Sequence, residues 1–496
     1  MEVHYISACR ARGLFPLAHR IPVFDSARRY RVSLIVASAL FMENLDSTII
    51  LTALPEIARS LNAEILHLNL AVTAYLLSLA VFIPLSGWVA DRYGSRNVFR
   101  LAIGVFTLAS VLCAAADSAA MLVAARVLQG MGGAMMSPVG RLIILRSVPK
   151  SELVPALAYL TIPALIGPVL GPPLGGFIST YFSWHWIFLI NVPIGAISLW
   201  LATRYMEDVR ETNVAPLDLR GSLLAGLGLA GLVFGFETID RGIVSHAVTI
   251  GLLALGATCM ALYVLHARVT PHPIVQLRLL TIRTFRWTII GGFIYRIASG
   301  SVQVMMPLML QVGFGMTAFA SGMLVFAVAV GAMPMKAWAP YILRSFGFRR
   351  VMTGVSLLTA AFVVGFGAFS AATPAAVIFV VLLLYGFVRS IQYTSMNSLA
   401  YADVTPPDMS KATSFVSMNQ QLSMSVGAAV AGFVLQQMIV WRGGTGLAAA
   451  DFPPAFALMA VSALLAAACF LCLGRGAGAE ISGRRRQPAK DDAEQG

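Results

Sequence analysis

Phe41 to Pro55 reads FMENLDSTIILTALP, and the two acids in it decide what kind of chain this is. The stretch lies inside an apolar segment long enough to span a bilayer. Glu43 and Asp46 are three residues apart. On a helix they share a face, with Cβ atoms about 5–6 Å apart. A charged side chain at mid-bilayer costs at least ~2.5–3.5 kcal/mol. Two of them on one face are expected to meet a watery cavity rather than lipid. Two carboxylates so close also resist ionising together, which is the chemistry of a proton carrier. The alternative is that both acids serve only to pair with a base on another helix.

Of the 496 residues, 58% are hydrophobic and 11% charged. Soluble globular proteins carry about 25% charged residues, so the composition indicates an integral membrane protein with many helices. A net charge of +13 could fit a nucleic-acid partner, but its placement argues for no nucleic acid. The bases sit in short clusters between apolar segments, which is how topology is set in membranes. Cys113, Cys259, Cys469 and Cys472 fall inside apolar segments, and Cys9 precedes them. Cys469-x-x-Cys472 has the spacing of a metal or redox pair, but no second pair or nearby His accompanies it. Packing residues are expected there, with no metal, no cofactor and no structural disulfide.

Apolar runs near 20 residues mark spanning helices. They are expected at about 32–54, 69–90, 98–115, 119–141, 156–178, 186–204, 221–239, 247–266, 287–311, 318–342, 350–370, 375–398, 412–438 and 454–474, fourteen in all. With a cytoplasmic N-terminus, the inner side receives Arg92, Arg96, Arg100, Arg141, Arg146, Lys150 and most later bases. The outer side receives Arg59, Arg241 and Arg442. That bias places both termini in the cytoplasm of a multi-pass inner or plasma membrane protein.

The expected organisation is a cytoplasmic tail at 1–30, read as a tail rather than a signal peptide. A six-helix bundle follows at 31–204, a linker with two extra spanning helices at 205–285, a second six-helix bundle at 286–475 and a disordered cytoplasmic tail at 476–496. A weak internal repeat supports it. Asp91-Arg92-Tyr93-Gly94-Ser95-Arg96 follows the second span, and Arg344-Ser345-Phe346-Gly347-Phe348-Arg349 follows the tenth. Two related halves around a central site are a transporter plan.

Three further stretches carry chemistry. Gly87 to Arg96 is a tight turn between spans, and Gly94 permits the reversal. There Asp91 can accept from a neighbouring helix N-terminus or pair with Arg96, making a latch that breaks as the halves rock. Gly87, Asp91, Arg92, Gly94 and Arg96 are its candidate parts; an ordinary basic loop is the other reading. Arg126 lies inside the fourth span, ahead of Gln129-Gly130-Met131-Gly132-Gly133, and must find a carboxylate or water. Its expected partner is Glu43 or Asp46, held either statically or in step with proton binding. Gly167-Pro168-Val169-Leu170-Gly171-Pro172-Pro173-Leu174-Gly175-Gly176 lies in the fifth span. Its prolines remove donors and bend a helix, and Gly171 and Gly175 make a small-xxx-small face. Gly167, Gly171, Pro172, Gly175 and Gly176 are therefore read as a hinge or a tight seam between bundles.

At these places the chain resembles the major facilitator superfamily. The Asp91 loop looks like its signature loop, the Arg126 segment like its fourth-helix arginine motif, and Gly167–Gly176 like the antiporter motif of its exporters. Leu45-Asp46-Ser47-Thr48-Ile49-Ile50 with Ala53-Leu54-Pro55 is similar to the first-helix motif of the fourteen-helix drug:proton antiporters of the EmrB/QacA type. Trp184-His185-Trp186 through Asn191-Val192-Pro193-Ile194-Gly195, and Ser417-Met418-Asn419-Gln420-Gln421, also resemble that family. The likeness covers about residues 36–475. Ser95 stands where a base is usual, and Leu51-Thr52 where Asn-Val is frequent. The resemblance implies proton-coupled multidrug-type efflux by alternating access, with Asp46 as proton site and Arg126 as its modulator. It implies a monomer with small-molecule substrates and protons as partners, in contact with membrane lipid, with a periplasmic adaptor as an optional partner.

Charge sorting adds a feature of the second half. Arg296, Lys336 and Arg389 lie inside its spans. Lys336 can snorkel to the nearer end. Arg296 and Arg389 lie deeper, ~13–15 Å along the helix from that end, and are expected to face the cavity. The acids inside spans are Glu43, Asp46 and Glu237, so anionic or zwitterionic substrates join lipophilic cations as candidates. Tyr75, Gln129, Tyr295, Gln303, Tyr393 and Asn419 are candidate cavity contacts, each equally a packing residue. Competing readings are a non-transporting membrane sensor on a transporter fold, an exporter of a specific anionic metabolite, and an importer. No enzyme is expected, and no G-x-x-x-x-G-K-[ST] loop is present to drive transport with ATP.

Overall fold

A computed structural model describes residues 31–61, 65–208, 210, 214–238, 245–444 and 446–482. All regular elements among them are helical. The apolar runs become α1 (Arg31–Ser60), α2 (Ile65–Phe82), a short α3 (Ser86–Tyr93), α4 (Ser95–Ala114), α5 (Ala119–Ser147), α6 (Leu153–Tyr181), a single-turn α7 (His185–Leu189) and α8 (Asn191–Tyr205). Then come α9 (Leu219–Thr238) and α10 (His246–Val269). The last group is α11 (Arg283–Leu308), α12 (Ala318–Phe346), α13 (Phe348–Phe366), α14 (Ala375–Leu399), α15 (Met409–Arg442), α16 (Phe452–Leu471) and the one-turn α17 (Ala479–Ser482). Thirteen helices among the described residues are long and apolar enough to cross a membrane. The 29-residue α6, where the fifth span is expected, is not one of the thirteen, so the count of fourteen is not confirmed.

Packing divides the helices into two groups. In the first, α1 lies along α6, and α5 packs against both α2 and α4; in the second, α12 lies along α14, α13 along α16, and α11 along α15 and α16. The inserted α9 and α10 pack on each other through glycines. A Cβ on Gly256 would come within 2.6 Å of the Leu232 nitrogen. Of this pair α9 touches α2 on one side and α15 on the other. Asp218 fixes the pair at one end, accepting from the Gly221 amide (2.9 Å) and pairing with His266 (2.8 Å).

The two stretches paired as a repeat share one backbone solution. Gly94 (φ 88°) separates α3 from α4, and Gly347 (φ 77°) separates α12 from α13. Side chains avoid that region, so a lone glycine reverses the chain where Arg96 and Arg349 follow.

Ala90, Leu145, Met206, Phe285 and Leu343, next to Arg92, Arg146, Arg204, Arg283 and Arg344, share one apolar cluster, so these bases gather at one basic end. One apolar core fills that end and belongs to both halves. It joins Ile35–Met42 of α1 and Val139–Leu145 of α5 to Phe285, Met335, Leu343, Met396 and Phe470 of the second half. Towards the opposite end the core splits. Ile49, Ile57, Leu122, Trp184 and Phe188 cluster within the first half. Val302, Met306, Val363, Leu382 and Phe456 cluster within the second. The halves are fused by apolar burial at the basic end and have separate cores at the other.

Candidate functional site

Asp46 is sealed, at 1% exposure, inside the first half. Its carboxylate accepts from Arg126 Nη1 (2.5 Å), Gln129 Nε2 (2.9 Å) and Asn191 Nδ2 (2.9 Å). Helix geometry dictates this convergence. Arg126 and Gln129 are three apart on α5 and so share a face, while Asn191 opens α8. Arg126 Nη1 also donates to Gln129 Oε1 (2.6 Å), and Ser110 Oγ of α4 accepts from Gln129 Nε2 (2.8 Å) and Asn191 Nδ2 (3.2 Å). The guanidinium lies over the Tyr75 ring, 4.4 Å from its centre. Charge-assisted bonds are the strong class of hydrogen bond, and here they replace water around both charges. Breaking such a pair by removing one partner costs about 3–5 kcal/mol.

This corrects two expectations. The face shared by Glu43 and Asp46 does not meet water at Asp46; it meets α4, α5 and α8, because three nitrogens satisfy the carboxylate there. Spacing on one helix fixes which residues are neighbours but not what they face. Tyr75 and Gln129, expected as cavity contacts, are buried in the same network. Glu43 behaves differently. It is half-buried, and its Oε2 has no hydrogen-bond partner among the described residues.

At the basic end the Asp91 loop forms a lock between halves. Asp91 accepts from Arg146 Nη2 (2.9 Å) of α5 and from Ser410 Oγ in the first turn of α15. Ser414 Oγ accepts from the Gly87 amide (2.9 Å) and is bonded to Ser86 Oγ (2.9 Å). A Cβ on Gly87 would lie 2.7 Å from the Ser410 carbonyl oxygen, so this crossing needs glycine. Asp91 thus meets the first turn of α15 through the Ser410 hydroxyl, and its ion-pair partner is Arg146 rather than Arg96. Arg96 donates instead to the Met206 carbonyl (3.3 Å), and Arg92 is exposed.

The glycine seam of α6 lies mainly within the first half. A Cβ on Gly167 would come 2.9 Å from the Leu45 nitrogen, and one on Gly171 would strike the Thr48 side chain. The α1–α6 contact is thus made by Gly167 and Gly171. Gly175 is buried, while a Cβ on Gly176 would meet open space; the Pro172 side chain lies outside the described residues. The helix runs unbroken from Leu153 to Tyr181, and it also touches α12 of the second half.

In the second half the three anticipated bases converge from three helices. Arg296 (α11) and Arg389 (α14) lie 5.7 Å and 5.6 Å from the centre of the Tyr393 ring. Lys336 (α12) donates to Thr394 Oγ1 at 3.0 Å. Lys336 does not snorkel: it is 4% exposed, and Arg296 is 3% exposed with Nε unsatisfied. Tyr295 is buried, bonded to Thr359 (3.1 Å) and edge-on to Tyr393. Asn419 is half-buried and donates to the Ile289 carbonyl, and Gln303 is exposed, with no side-chain hydrogen bond among the described residues. Cation–π contact is worth ~0.5–2 kcal/mol, less than the ~2.5–3.5 kcal/mol or more that a charge costs at mid-bilayer.

Sequence reasoning missed Ser110 and the role of Asn191, which only the fold brings to Asp46. It also took Arg141 for a loop base. Because α5 runs on to Ser147, Arg141 lies within the helix, buried against the second half, and donates to Tyr401 Oη (3.3 Å) and Gln420 Oε1 (3.4 Å).

Comparison with known proteins agrees with this architecture. Residues 36–428 match the Major Facilitator Superfamily. The chain is 41% identical over 401 residues to the putative multidrug resistance protein MdtD of Salmonella paratyphi B, covering 81% of this chain and 85% of that one. It is 40% identical over 405 residues to the protein of the same name from Salmonella typhimurium, with the same coverage. Among solved structures, the human organic anion transporter MFSD10 (TETRAN) superposes with a TM-score of 0.59 at 16% identity, over 89% of this chain and 99% of that one. The proton:xylose symporter XylE bound to 6-bromo-6-deoxy-D-glucose gives 0.60 at 14%, over 89% and 95%. These last two speak for the fold alone. With two helical groups, a glycine-turn repeat and a family match over most of its length, the chain belongs to the Major Facilitator Superfamily.

Proposed function

We propose that this chain is a proton-coupled exporter of small amphiphilic compounds, working by alternating access in the inner or plasma membrane with its basic end and both termini in the cytoplasm. The domains are read as 31–204 and 286–475 rocking about a central site, with 205–285 as the inserted pair. The observation that carries the reading is the Asp46–Arg126 pair. A carboxylate sealed by three donors can give up or take a proton only when the helices around it part. Protonation removes the charge that Arg126 answers, so proton binding and helix movement are one event. Glu43, three residues earlier, half-buried and with one carboxyl oxygen unpartnered among the described residues, is read as the acid that relays the proton.

The cores support a defined stage of that cycle. Burial shared by both halves at the basic end and separate cores at the other describe a transporter shut towards the cytoplasm. Opening inward must break the Asp91–Ser410 and Gly87–Ser414 contacts. The relatives named for multidrug resistance support efflux of compounds as the cargo. One chain holds both halves, so a monomer suffices, with no catalysis and no adaptor needed for the exchange itself.

The test is proton flux in proteoliposomes containing wild type or Asp46→Asn, across a panel of amphiphilic compounds. Compound-dependent flux in wild type and its loss in the variant are expected. Equal flux in both removes Asp46 from coupling, and no flux with any compound would favour a sensor.

A further inference from the structure

We infer that the second half carries a binding site for carboxylate-bearing organic anions, built by Arg296, Lys336 and Arg389 around Tyr393 and Thr394. The inference deepens the transport reading and rests on it for the fate of the ligand, not for its binding.

The argument is one of unanswered charge. Three basic side chains come from three helices, α11, α12 and α14. Both guanidinium groups face one ring, so they are no farther apart than the sum of 5.7 Å and 5.6 Å. Lys336 reaches Thr394, the residue after that ring. None of the three forms an ion pair with a carboxylate among the described residues, Glu43 included. Their polar partners among the described residues are neutral, so none of those partners balances the charge. Buried charges are ordinarily paired. Arg296 is 3% exposed, and its Nε has no acceptor among the described residues.

The place is reachable as well as charged. Arg389 and Tyr393 are half-buried and so border accessible space. Tyr393 Oη is bonded to Ser299 Oγ (2.9 Å), which fixes the ring that both guanidinium groups approach. A guanidinium presents a planar fork that fits a carboxylate with two parallel bonds, and an ammonium adds a point charge. A ligand with one carboxylate and an aromatic body would answer the cations and lie against Tyr393. A lipophilic cation would meet like charge here.

Salicylate and its neutral isostere salicylamide separate charge from shape. Binding to the purified full-length chain is read by thermal shift, and uptake is read in proteoliposomes with tetraphenylphosphonium as a cationic control. Arg389→Gln, at a half-buried position, is the first variant, with Arg389→Lys as its conservative partner and Arg296→Gln as a second site. Salicylate is expected to stabilise wild type, salicylamide not. Arg389→Gln and Arg296→Gln are expected to weaken salicylate at least tenfold while their ligand-free melting stays close to wild type. Arg389→Lys is expected to recover part of the loss. Salicylate binding without uptake of any probe keeps the anion site and sinks the transport reading. Uptake of tetraphenylphosphonium with no salicylate binding, or salicylate binding unchanged in both glutamine variants, overturns the anion site and leaves transport standing.

Discussion

In the first half Arg126 is fully buried and meets Asp46, Gln129 and the face of Tyr75. In the second half Arg296 is almost as buried and meets the face of Tyr393, with Arg389 and Lys336 nearby and no acid paired to it among the described residues. The two sites use the same parts, a guanidinium on an aromatic ring inside a helix bundle, and differ by one carboxylate. The repeat turns show the same asymmetry: Asp91 in the first half stands where Arg344 stands in the second. A half that holds its own counter-charge is suited to trading protons internally. A half left cationic is suited to a charge brought from outside. In the proposed transport cycle this difference would give the two halves different tasks.

The largest effects should come from removing a charge in the paired half. Asp46→Asn keeps the shape but leaves Arg126 buried without a counter-ion. The expected result is coupled flux lowered at least a hundredfold, about 2.7 kcal/mol or more in the barrier. It should also show as a stability loss of about 3–5 kcal/mol in thermal or denaturant unfolding. Arg389→Gln in the unpaired half is the counterpart: it removes a cation that has no acid to abandon, so its stability should be unchanged or raised. If both variants lose stability equally, the contrast between the halves is broken.

Arg126→Lys asks a finer question. Arginine Nη1 serves Asp46 and Gln129 together, and Nε reaches the Ala71 carbonyl at 3.4 Å. Lysine keeps the charge and loses the fork. A fall of about tenfold in coupled flux is expected, roughly 1.4 kcal/mol, with stability nearer wild type than in Asp46→Asn. Flux equal to wild type would show that charge alone sets the coupling.

How much of this could be read from the chain depended on whether the deciding contacts were local. The turn at Gly94 and its copy at Gly347 were legible, because a one-residue reversal between helices demands glycine and a basic flank marks the membrane boundary. That Arg126 needs a carboxylate was legible too, since an arginine within a span must be answered. Which acid answers it was not. Glu43 and Asp46 are equivalent by spacing, and the choice is made by Gln129 and Asn191, residues 83 and 145 positions from Asp46. Arg141 was misread for a related reason. The end of an apolar run is not the end of a helix, and α5 carries a further turn and a half past it into the contact between halves. Lys336 could equally have snorkelled; only the position of Thr394 on the neighbouring helix shows that it turns inward.

The smallest expected effect tests the asymmetry at the repeat turns. Asp91 joins the first half to α15 through Ser410 and is itself held by Arg146. Arg344, its counterpart, is exposed at the end of α12. Asp91→Asn keeps one acceptor oxygen but gives up the ion pair with Arg146, which at about 10% side-chain exposure is partly screened and worth less than a sealed pair. The contacts of Ser414 with Ser86 and the Gly87 amide persist, so the lock should loosen rather than open. Hydrogen–deuterium exchange over residues 86–94 and 409–416 is expected to rise about threefold, equivalent to roughly 0.65 kcal/mol in local opening. Arg344→Gln should leave exchange across that seam unchanged, since its side chain joins nothing there. A rise of equal size in both variants would mean that general loss of surface charge, not the bridge from Asp91 to α15, governs how the basic end opens.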